Sequence, residues 1–390
     1  MKQQIAQVKQ CLKDLKIDGW LLYDFCGQND LARIFLKIPS TSPIKRRFFY
    51  WIPREGEPIK LVHAIEPHAL DGWPGETRFF SSWQSLEKEL CKLLGKSKRV
   101  AMEYSLAIPS VSKVDGGTID LVRSCGVEVV SSADFLPHFT AVLDAEQAES
   151  HLRAGRALDR IARETWEWLR SNLPVTEYDV QKKILSLFEK DNLVTDHAPI
   201  AAVNAHSANP HYAPLQTGSS LIQKGDFILI DLWAKEKGER AVFADITRVA
   251  VAANKPTPKQ TQIFQIVRAA QKAAVRLVQE RFQNKQKLEG WEVDEAARDV
   301  IRKAGYGDQF LHRTGHSIEV HLHGSGAHMD NLEMHDVRPI LPGTCFSIEP
   351  GIYLAGEFGV RLEHDLYVDR AGKVHIVGGE QDEIVCLNLS

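Results

Sequence analysis

Histidines crowd one short stretch of this sequence. His312, His316, His321 and His323 lie within thirteen residues of a 390-residue chain that has only 15 histidines. Imidazole binds borderline metals while neutral and changes its charge near physiological pH. The cluster therefore predicts a metal site or an acid–base site, with histidines of a solvated surface loop as the plainer alternative.

Carboxylates in apolar surroundings favour the metal site. Four strand-like runs, two before the histidine stretch and two after it, each carry one acid: Asp231, Asp245, Glu349 and Glu363. An ionised carboxylate is costly among apolar side chains unless it is paired or bound to a metal. Acids and histidines distributed in this way argue against a solvated loop.

Apolar periodicity predicts the elements that must position these groups. Long helices are expected at about 145–171, 259–282 and 293–304. Another helix follows Thr176, which with Asp179 resembles a capping box. The turn at Gly225 and Asp226 leads into the strand that holds Asp231, and a second strand holds Asp245.

The first part of the chain predicts a separate small domain. A helix at about 3–17 precedes strands near 20–23, 48–52 and 59–63, and helix–strand pairs follow near 83–104 and 118–130. This alternation predicts a two-domain α/β chain, with a small N-terminal α/β domain over residues 1–142 and a larger domain over residues 143–390. Nothing in the first domain has the spacing of a phosphate loop or a catalytic constellation.

Composition excludes several classes of protein. With 44% hydrophobic residues, 25% charged residues and a net charge of −3, the chain has no basic footprint for nucleic acid or for an anionic membrane. The N-terminus lacks a signal-peptide core, and we expect no membrane-spanning segment. The six cysteines form no Cys-x-x-Cys pair, which predicts mostly reduced, buried thiols in a cytoplasmic protein and no disulfide scaffold.

In order and local sequence, the histidine stretch and the four acidic runs resemble the metallopeptidases of the pita-bread fold. That family includes Xaa-Pro dipeptidase (prolidase), aminopeptidase P and methionine aminopeptidase. The resemblance is closest to the first two, because the chain has an extra N-terminal domain and His312. It implies a creatinase/prolidase-like domain over residues 1–142, a catalytic pita-bread α+β domain over residues 143–390, and a homodimer.

The resemblance also implies a dinuclear metal centre. Asp231 would bind one ion, His316 and Glu349 the other, while Asp245 and Glu363 would bridge both. This oxygen-rich set without a thiolate suits two divalent ions, first Mn2+, with Co2+ or Zn2+ as alternatives, and two such ions cancel the four carboxylate charges. The implied reaction is attack of a metal-bridging hydroxide on the peptide bond before proline, with Glu349 carrying the proton to the leaving nitrogen.

Further residues match family positions that touch the peptide: His211, His312, His323, Tyr353 and Arg361. His211, in an Asn-Pro-His-Tyr context, is favoured over His206. His211 and His323 are both expected to act in catalysis as well as in substrate binding. Arg361 is expected to orient a carboxylate rather than to act chemically.

Two of these histidines match family positions by their distance from His316. His323, seven positions later, would steady the tetrahedral intermediate, and His312, four positions earlier, would help to hold the proline end of the substrate. If this piece is a strand, His321 and His323 share a face and either could reach the substrate. Register favours His323.

Several features depart from the family pattern. The two aspartates are fourteen positions apart, so their hairpin is expected to have a longer tip at 235–240. Trp233 and Glu319 stand where glycine is usual, and His364 stands where an acid is frequent. The segment 324–330 is either a lid or specificity loop, or a plain surface loop. These departures bear on substrate and metal preference more than on the ligand set.

Three alternatives remain open at the level of sequence. The enzyme could be an Xaa-Pro dipeptidase or an Xaa-Pro aminopeptidase. It could instead be a small-molecule hydrolase or a lyase on the same metal site, since metal chemistry is better defined than the substrate. The alternative from another class is a non-enzymatic binding protein that keeps the fold, although such relatives usually lose metal ligands.

Overall fold

The computed structural model describes residues 1–39 and 41–388. The chain divides into two compact units, with the boundary between Thr140 and Ala141. The helices of the first unit are α1 Lys2–Asp14, α2 Asp30–Leu36, α3 Trp83–Leu94, α4 Gly116–Ser124 and α5 Pro137–Thr140. Its strands are β1 Gly19–Asp24, β2 Phe48–Pro53, β3 Ile59–His63, β4 Glu76–Phe80, β5 Arg99–Met102 and β6 Glu128–Ser131.

The first unit is built on one mixed sheet with strand order β4-β3-β2-β1-β5-β6. Its central strand β1 is buried along its whole length, and it pairs antiparallel with β2 and parallel with β5. Helix α3 buries its leucines at helical spacing against this sheet. The sequence did not predict α2 or β4, because α2 is short and β4 buries only Phe80.

One expectation about the cysteines is wrong. Cys91 on α3 and Cys125 at the end of α4 form a disulfide, with Cα atoms 4.9 Å apart. The two helices pack side by side, which a separation of 34 residues in sequence does not reveal. Of the other cysteines, Cys345 is buried and Cys26 is exposed, so the thiols are not uniformly buried either.

The second unit carries the predicted site residues. Its helices are α6 Ala145–Asn172, α7 Glu177–Lys190, α8 Pro258–Gln283 and α9 Gly290–Lys303. Its strands are β7 Val175–Thr176, β8 Leu193–Val194, β9 Ile200–Val203, β10 Leu221–Ile222, β11 Phe227–Glu236, β12 Ala244–Val251, β13 Ser317–Ile318, β14 Cys345–Ile348, β15 Gly351–Leu354, β16 Phe358–Arg361, β17 His364–Val368, β18 Val374–Val377 and β19 Val385–Cys386. The three long predicted helices and the capping box of Thr176 with Asp179 are confirmed.

Strand β11 separates two apolar cores in this unit. Phe227 and Leu229 point to the core that also contains the apolar faces of α8 and α9. Ile228 and Ile230 point the other way, to the core shared with α6 and α7. This alternation with a period of two is what an extended backbone produces. A β11–β12 hairpin covered by apolar cores on both faces therefore supports the side chains that its two strands carry.

Three local expectations in this unit need correction. Strand β11 continues to Glu236, so the hairpin tip spans 237–243 rather than 235–240. The histidine stretch is extended only at Ser317–Ile318, and residues 319–323 bend instead of forming a strand. Residues 325–330 are buried, so this segment is neither a lid nor a surface loop. Within the described ranges, no helix has the length and apolar character needed to cross a bilayer.

Candidate metal centre

The β11–β12 hairpin brings two aspartates to one face. The strands are antiparallel, with Asp231 opposite Thr247 and Asp245 opposite Trp233. Residues two apart on a strand point to the same side, so the two aspartates are diagonal neighbours on that face. Both are buried, with 8% and 4% of their surface exposed.

The other three predicted ligands come from the ends of neighbouring strands in a second sheet. His316 directly precedes β13, Glu349 directly follows β14, and Glu363 directly precedes β17. Strand β14 pairs antiparallel with both β13 and β17, which places these three ends side by side. The two sheets therefore present all five predicted ligands to one region.

The histidine and the carboxylates are close enough to share a cation. Asp245, His316 and Glu363 each offer one ligand atom within 4.8 Å of the others. The His316 Nε2 atom lies 3.7 Å from Asp245 Oδ2 and 3.6 Å from Glu349 Oε1. Its Nδ1 atom lies 3.2 Å from the carbonyl oxygen of Ser317, which favours the tautomer with the proton on Nδ1. The Nε2 lone pair then faces the carboxylates.

Each carboxylate keeps one oxygen free. Asp231 Oδ1, Asp245 Oδ1 and Glu363 Oε1 are buried and accept no hydrogen bond from the described residues. The second oxygens of two of them are engaged: Arg361 Nη2 lies 2.5 Å from Asp231 Oδ2, and the Thr247 hydroxyl donates to Glu363 Oε2 at 2.6 Å. Buried polar atoms without partners are rare, and three in one cluster need an explanation. Divalent cations bind such oxygens, and two of the three belong to residues that lie close enough to share one with His316, so the residues fit a metal.

The pKa values of the clustered groups also favour a bound metal. Burial, and then the charges of Glu363 and Asp231, raise the pKa of Asp245 well above that of an ordinary aspartate. Burial raises the pKa of Glu349 to about 7. Burial, and then the neighbouring His323, lower the pKa of His316 well below its usual value. The protein alone thus favours neutral acids and a neutral imidazole, whereas a cation would stabilise the carboxylates.

A cavity of about 610 Å³ opens onto this cluster. Nine of the residues predicted for the site line it: Asp231, Asp245, Glu349, Glu363, His211, His312, His316, His323 and Arg361. Its volume is in the range of small-molecule sites. Residues that lie up to about 150 positions apart in the sequence therefore line the same cavity.

The tenth predicted residue, Tyr353, contacts two of the others. Its hydroxyl lies 2.6 Å from His312 Nε2 and accepts a hydrogen bond from Arg361 Nη1 at 3.0 Å. Arg361 also donates from Nε to Thr247, at 3.0 Å. Burial, and then the nearby Arg361, lower the pKa of His312 to about 3. This network contains neutral and cationic donors suited to an anionic or carbonyl group of a ligand.

The alternative histidines lie elsewhere. His206 pairs with the buried carboxylate of Glu177, at 2.9 Å, and stacks on Tyr212. His321 and His323 are both exposed, but His321 does not line the cavity, whereas His323 does, with its ring 4.3 Å from the His316 ring.

Some site residues were missed in the sequence. The carboxylate of Asp365 accepts the backbone N–H of Asp245 at 2.9 Å, and Thr247 holds Glu363. Thr247 lies two positions after Asp245, and Asp365 two positions after Glu363. That spacing in a strand was the signal that could have identified them, because it places both residues of a pair on the same face.

Buried carboxylates and an imidazole at the meeting of two sheets are typical of a metal-dependent centre. Residues 149–370 match the model of metallopeptidase family M24, and the chain belongs to this family. It is 27% identical over 375 residues to an Xaa-Pro dipeptidase of Lactobacillus delbrueckii subsp. lactis, covering 89% of this chain and 92% of that protein. It is 32% identical over 183 residues to an Xaa-Pro dipeptidase of Pyrococcus furiosus, covering 47% of this chain and 48% of that protein.

Solved structures support the fold. Dipeptidase PepE of Mycobacterium ulcerans superposes with a TM-score of 0.74 at 23% identity, covering 100% of this chain and 98% of that one. A dipeptidase of Pyrococcus horikoshii gives a TM-score of 0.68 at 24% identity, covering 98% and 99% of the two chains. The predicted family and the two-domain fold with a pita-bread second unit are confirmed, and the protein is a metallopeptidase.

Proposed function

We propose that this enzyme hydrolyses Xaa-Pro dipeptides at the bond before proline, with two divalent ions, Mn2+ first, held by the five predicted ligands. The observation that carries the metal part is the set of three buried carboxylate oxygens without hydrogen-bond partners beside His316 Nε2. The names of the full-length relatives favour a dipeptidase over an aminopeptidase. A homodimer and a cytoplasmic location stay predictions.

The proposed ligands divide as the family pattern implies. Asp231 would hold one ion and His316 with Glu349 the other, while Asp245 and Glu363 would be shared. When bound, such ions acidify water and polarise a carbonyl group.

The protein's own groups would then guide the proton and the peptide. Glu349 lines the cavity, so as a carboxylate it can take a proton from the attacking water and give it to the proline nitrogen as the C–N bond breaks. His323 and His211 line the same cavity and would orient the scissile carbonyl. His312, Tyr353 and Arg361 would hold the proline end.

Hydrolysis of Ala-Pro beside Ala-Pro-Ala tests this proposal, with metal-stripped enzyme before and after addition of Mn2+. Cleavage of Ala-Pro alone after Mn2+ addition is expected, and Ala-Ala is the control for the requirement for proline. Preference for Ala-Pro-Ala would reassign the enzyme as an aminopeptidase. If Mn2+ binds and neither peptide is cut, a small-molecule hydrolase or lyase replaces the proposal. The non-enzymatic alternative is opposed by the family and by the complete set of ligands.

A further inference from the structure

A short turn beside the metal cluster carries one of the cavity histidines. Residues 317–326 form this turn, which is closed by a hydrogen bond from the Gly324 N–H to the Ser317 carbonyl at 2.7 Å. Within it, the N–H of Glu319 donates to the His321 carbonyl at 3.0 Å. The turn places His323 in the cavity, with its ring 4.3 Å from that of His316.

The carboxylate of Glu319 lies inside this turn and holds its two ends together. Its Oε1 atom accepts the backbone N–H groups of Ser325 and Gly326, at 2.8 and 2.9 Å, and the Ser317 hydroxyl at 2.9 Å. Its Oε2 atom accepts the Ser325 hydroxyl at 3.0 Å. Only 4% of Glu319 is exposed. Four donors converging on one buried carboxylate form a built structural feature and not a chance contact.

The neighbouring glycine is matched to this carboxylate. A Cβ atom at Gly324 would lie 2.5 Å from Glu319 Cδ, closer than any side chain tolerates. The turn therefore accommodates a glutamate at 319 because a glycine stands at 324. The unusual residue and its glycine are two parts of one arrangement.

The turn is also tied to the aspartate hairpin. The N–H of Phe243, two positions before Asp245, donates to the Glu319 carbonyl at 3.1 Å. The His323 ring itself makes no hydrogen bond to any residue in the described ranges, so its position depends on the turn that carries it. The turn begins at Ser317, whose carbonyl oxygen lies 3.2 Å from His316 Nδ1, so a change in the turn reaches both His323 and this metal ligand.

We propose that Glu319 is a positioning residue, which fixes the 317–326 turn and thereby holds His323 against the metal cluster. The part that His323 plays in hydrolysis rests on the proposed function, whereas the effect of Glu319 on the turn does not. Glu319 acts through hydrogen bonds and not through its charge.

A double-mutant cycle tests the link between the two residues. Kinetics of Ala-Pro hydrolysis with Mn2+ are measured for Glu319→Ala, His323→Ala and the double variant. We expect Glu319→Ala to lower kcat roughly tenfold with little change in KM, and to lower it less than about twofold when His323 is already alanine. Effects that multiply in the double variant would overturn the proposal.

Two further variants separate positioning from a loss of folding. Glu319→Gln is expected to keep kcat within about threefold of the wild type, because the amide oxygen retains three donors and the amide nitrogen can donate to Ser325. Gly324→Ala keeps the carboxylate but displaces it, so it should lower kcat about as much as Glu319→Ala. It therefore tests the same arrangement if Glu319→Ala does not fold. His321→Ala, on the same turn but outside the cavity lining, is the matched control and should behave as wild type.

Amide hydrogen exchange at Ser325 and Gly326 tests the turn without any substrate. Both amides should exchange faster in Glu319→Ala and Gly324→Ala than in wild type, and at the wild-type rate in His321→Ala. Unchanged exchange in the first two variants would refute the role of Glu319 whatever the enzyme cleaves. If the exchange results hold but wild-type enzyme cuts no Xaa-Pro peptide, only the proposed function fails.

Discussion

At the scale of single residues, the centre depends on carboxylates that are each held by one oxygen. Glu363 accepts the Thr247 hydroxyl with Oε2, and Asp231 meets Arg361 with Oδ2, while the opposite oxygens have no partner among the described residues. Anchoring one oxygen restricts the orientation of the other, so the unpartnered atoms are held in place before any ion arrives. This preorganisation makes these residues sensitive to substitution.

Replacing a proposed bridging ligand should remove both metal and activity. In Asp245→Ala or Glu363→Ala, we expect no retained Mn2+ after dialysis and a loss of kcat of at least about a thousandfold, because each residue would serve both ions. Metal content by mass spectrometry and peptide hydrolysis measure this.

Thr247→Val is the matched control for the effect at Glu363. It keeps the carboxylate and removes the hydroxyl that donates to Glu363 and accepts from Arg361 Nε, so metal affinity should fall by roughly tenfold, the low end of what such changes cost. Turnover retained in either alanine variant would contradict a dinuclear mechanism.

At the scale of elements, helix α9 holds the histidine stretch. Asp294 and Arg298 form a buried ion pair one turn apart on this helix. Asp294 accepts both the N–H and the hydroxyl of Thr314, at 2.8 and 2.7 Å, and Arg298 donates to the His312 carbonyl at 2.9 Å. The position of the chain between His312 and His316 is therefore determined by a helix that does not line the cavity.

Breaking this pair should destabilise the protein and impair the site together. In Asp294→Ala, the guanidinium of Arg298 and the Thr314 N–H lose their partner in a buried place, which should lower the free energy of unfolding by about 3–5 kcal/mol. Denaturant unfolding and kcat for Ala-Pro measure the two effects.

Asp299→Ala provides the comparison on the same helix. Asp299 is solvent-accessible and pairs with Arg302 and Lys303, so its loss should change neither quantity appreciably. Equal effects of the two variants would show that α9 does not hold the histidine stretch.

At the scale of the whole molecule, the second unit is assembled around a group of acids that repel one another. Burial and the neighbouring carboxylates raise the pKa of both Asp245 and Glu363 well above their usual values. Stability in the absence of metal should therefore depend on protons at the centre, and stability in its presence should not.

Melting of the metal-stripped protein at different pH values tests this dependence. The Glu349 carboxyl has a pKa of about 7 in the folded chain and about 4.5 when unperturbed, so the folded state binds its proton more tightly. The stability from this proton is present at low pH and is lost as the pH rises through about 7. The melting temperature should fall between pH 6 and pH 8, and the increase caused by Mn2+ should be larger at pH 8.

Glu349→Gln is the control, because it removes the titrating group. Its metal-stripped melting temperature should depend less on pH over the same interval. If wild type and Glu349→Gln show the same pH dependence, the raised pKa does not govern the stability of the centre.

The sequence by itself predicted the types and order of the proposed ligands and determined most of the elements that carry them. Acids in apolar strands and histidines at short spacing are local patterns, and the β11 alternation and the cap of Thr176 depend only on nearby residues. The family, the fold and the enzyme class were implied by the resemblance of these segments to known metallopeptidases, and the comparisons confirm them. The roles of individual site residues stay predictions until the variants are measured.

Only the tertiary structure decided which atoms are free and which residues support them. The oxygen left open on Glu363 depends on Thr247, and the one left open on Asp231 depends on Arg361, more than 100 positions away in both cases. The disulfide of Cys91 and the burial of residues 325–330 likewise depend on distant packing. Periodicity records which way a side chain points along its own element, whereas hydrogen-bond partners across elements are determined by how those elements pack.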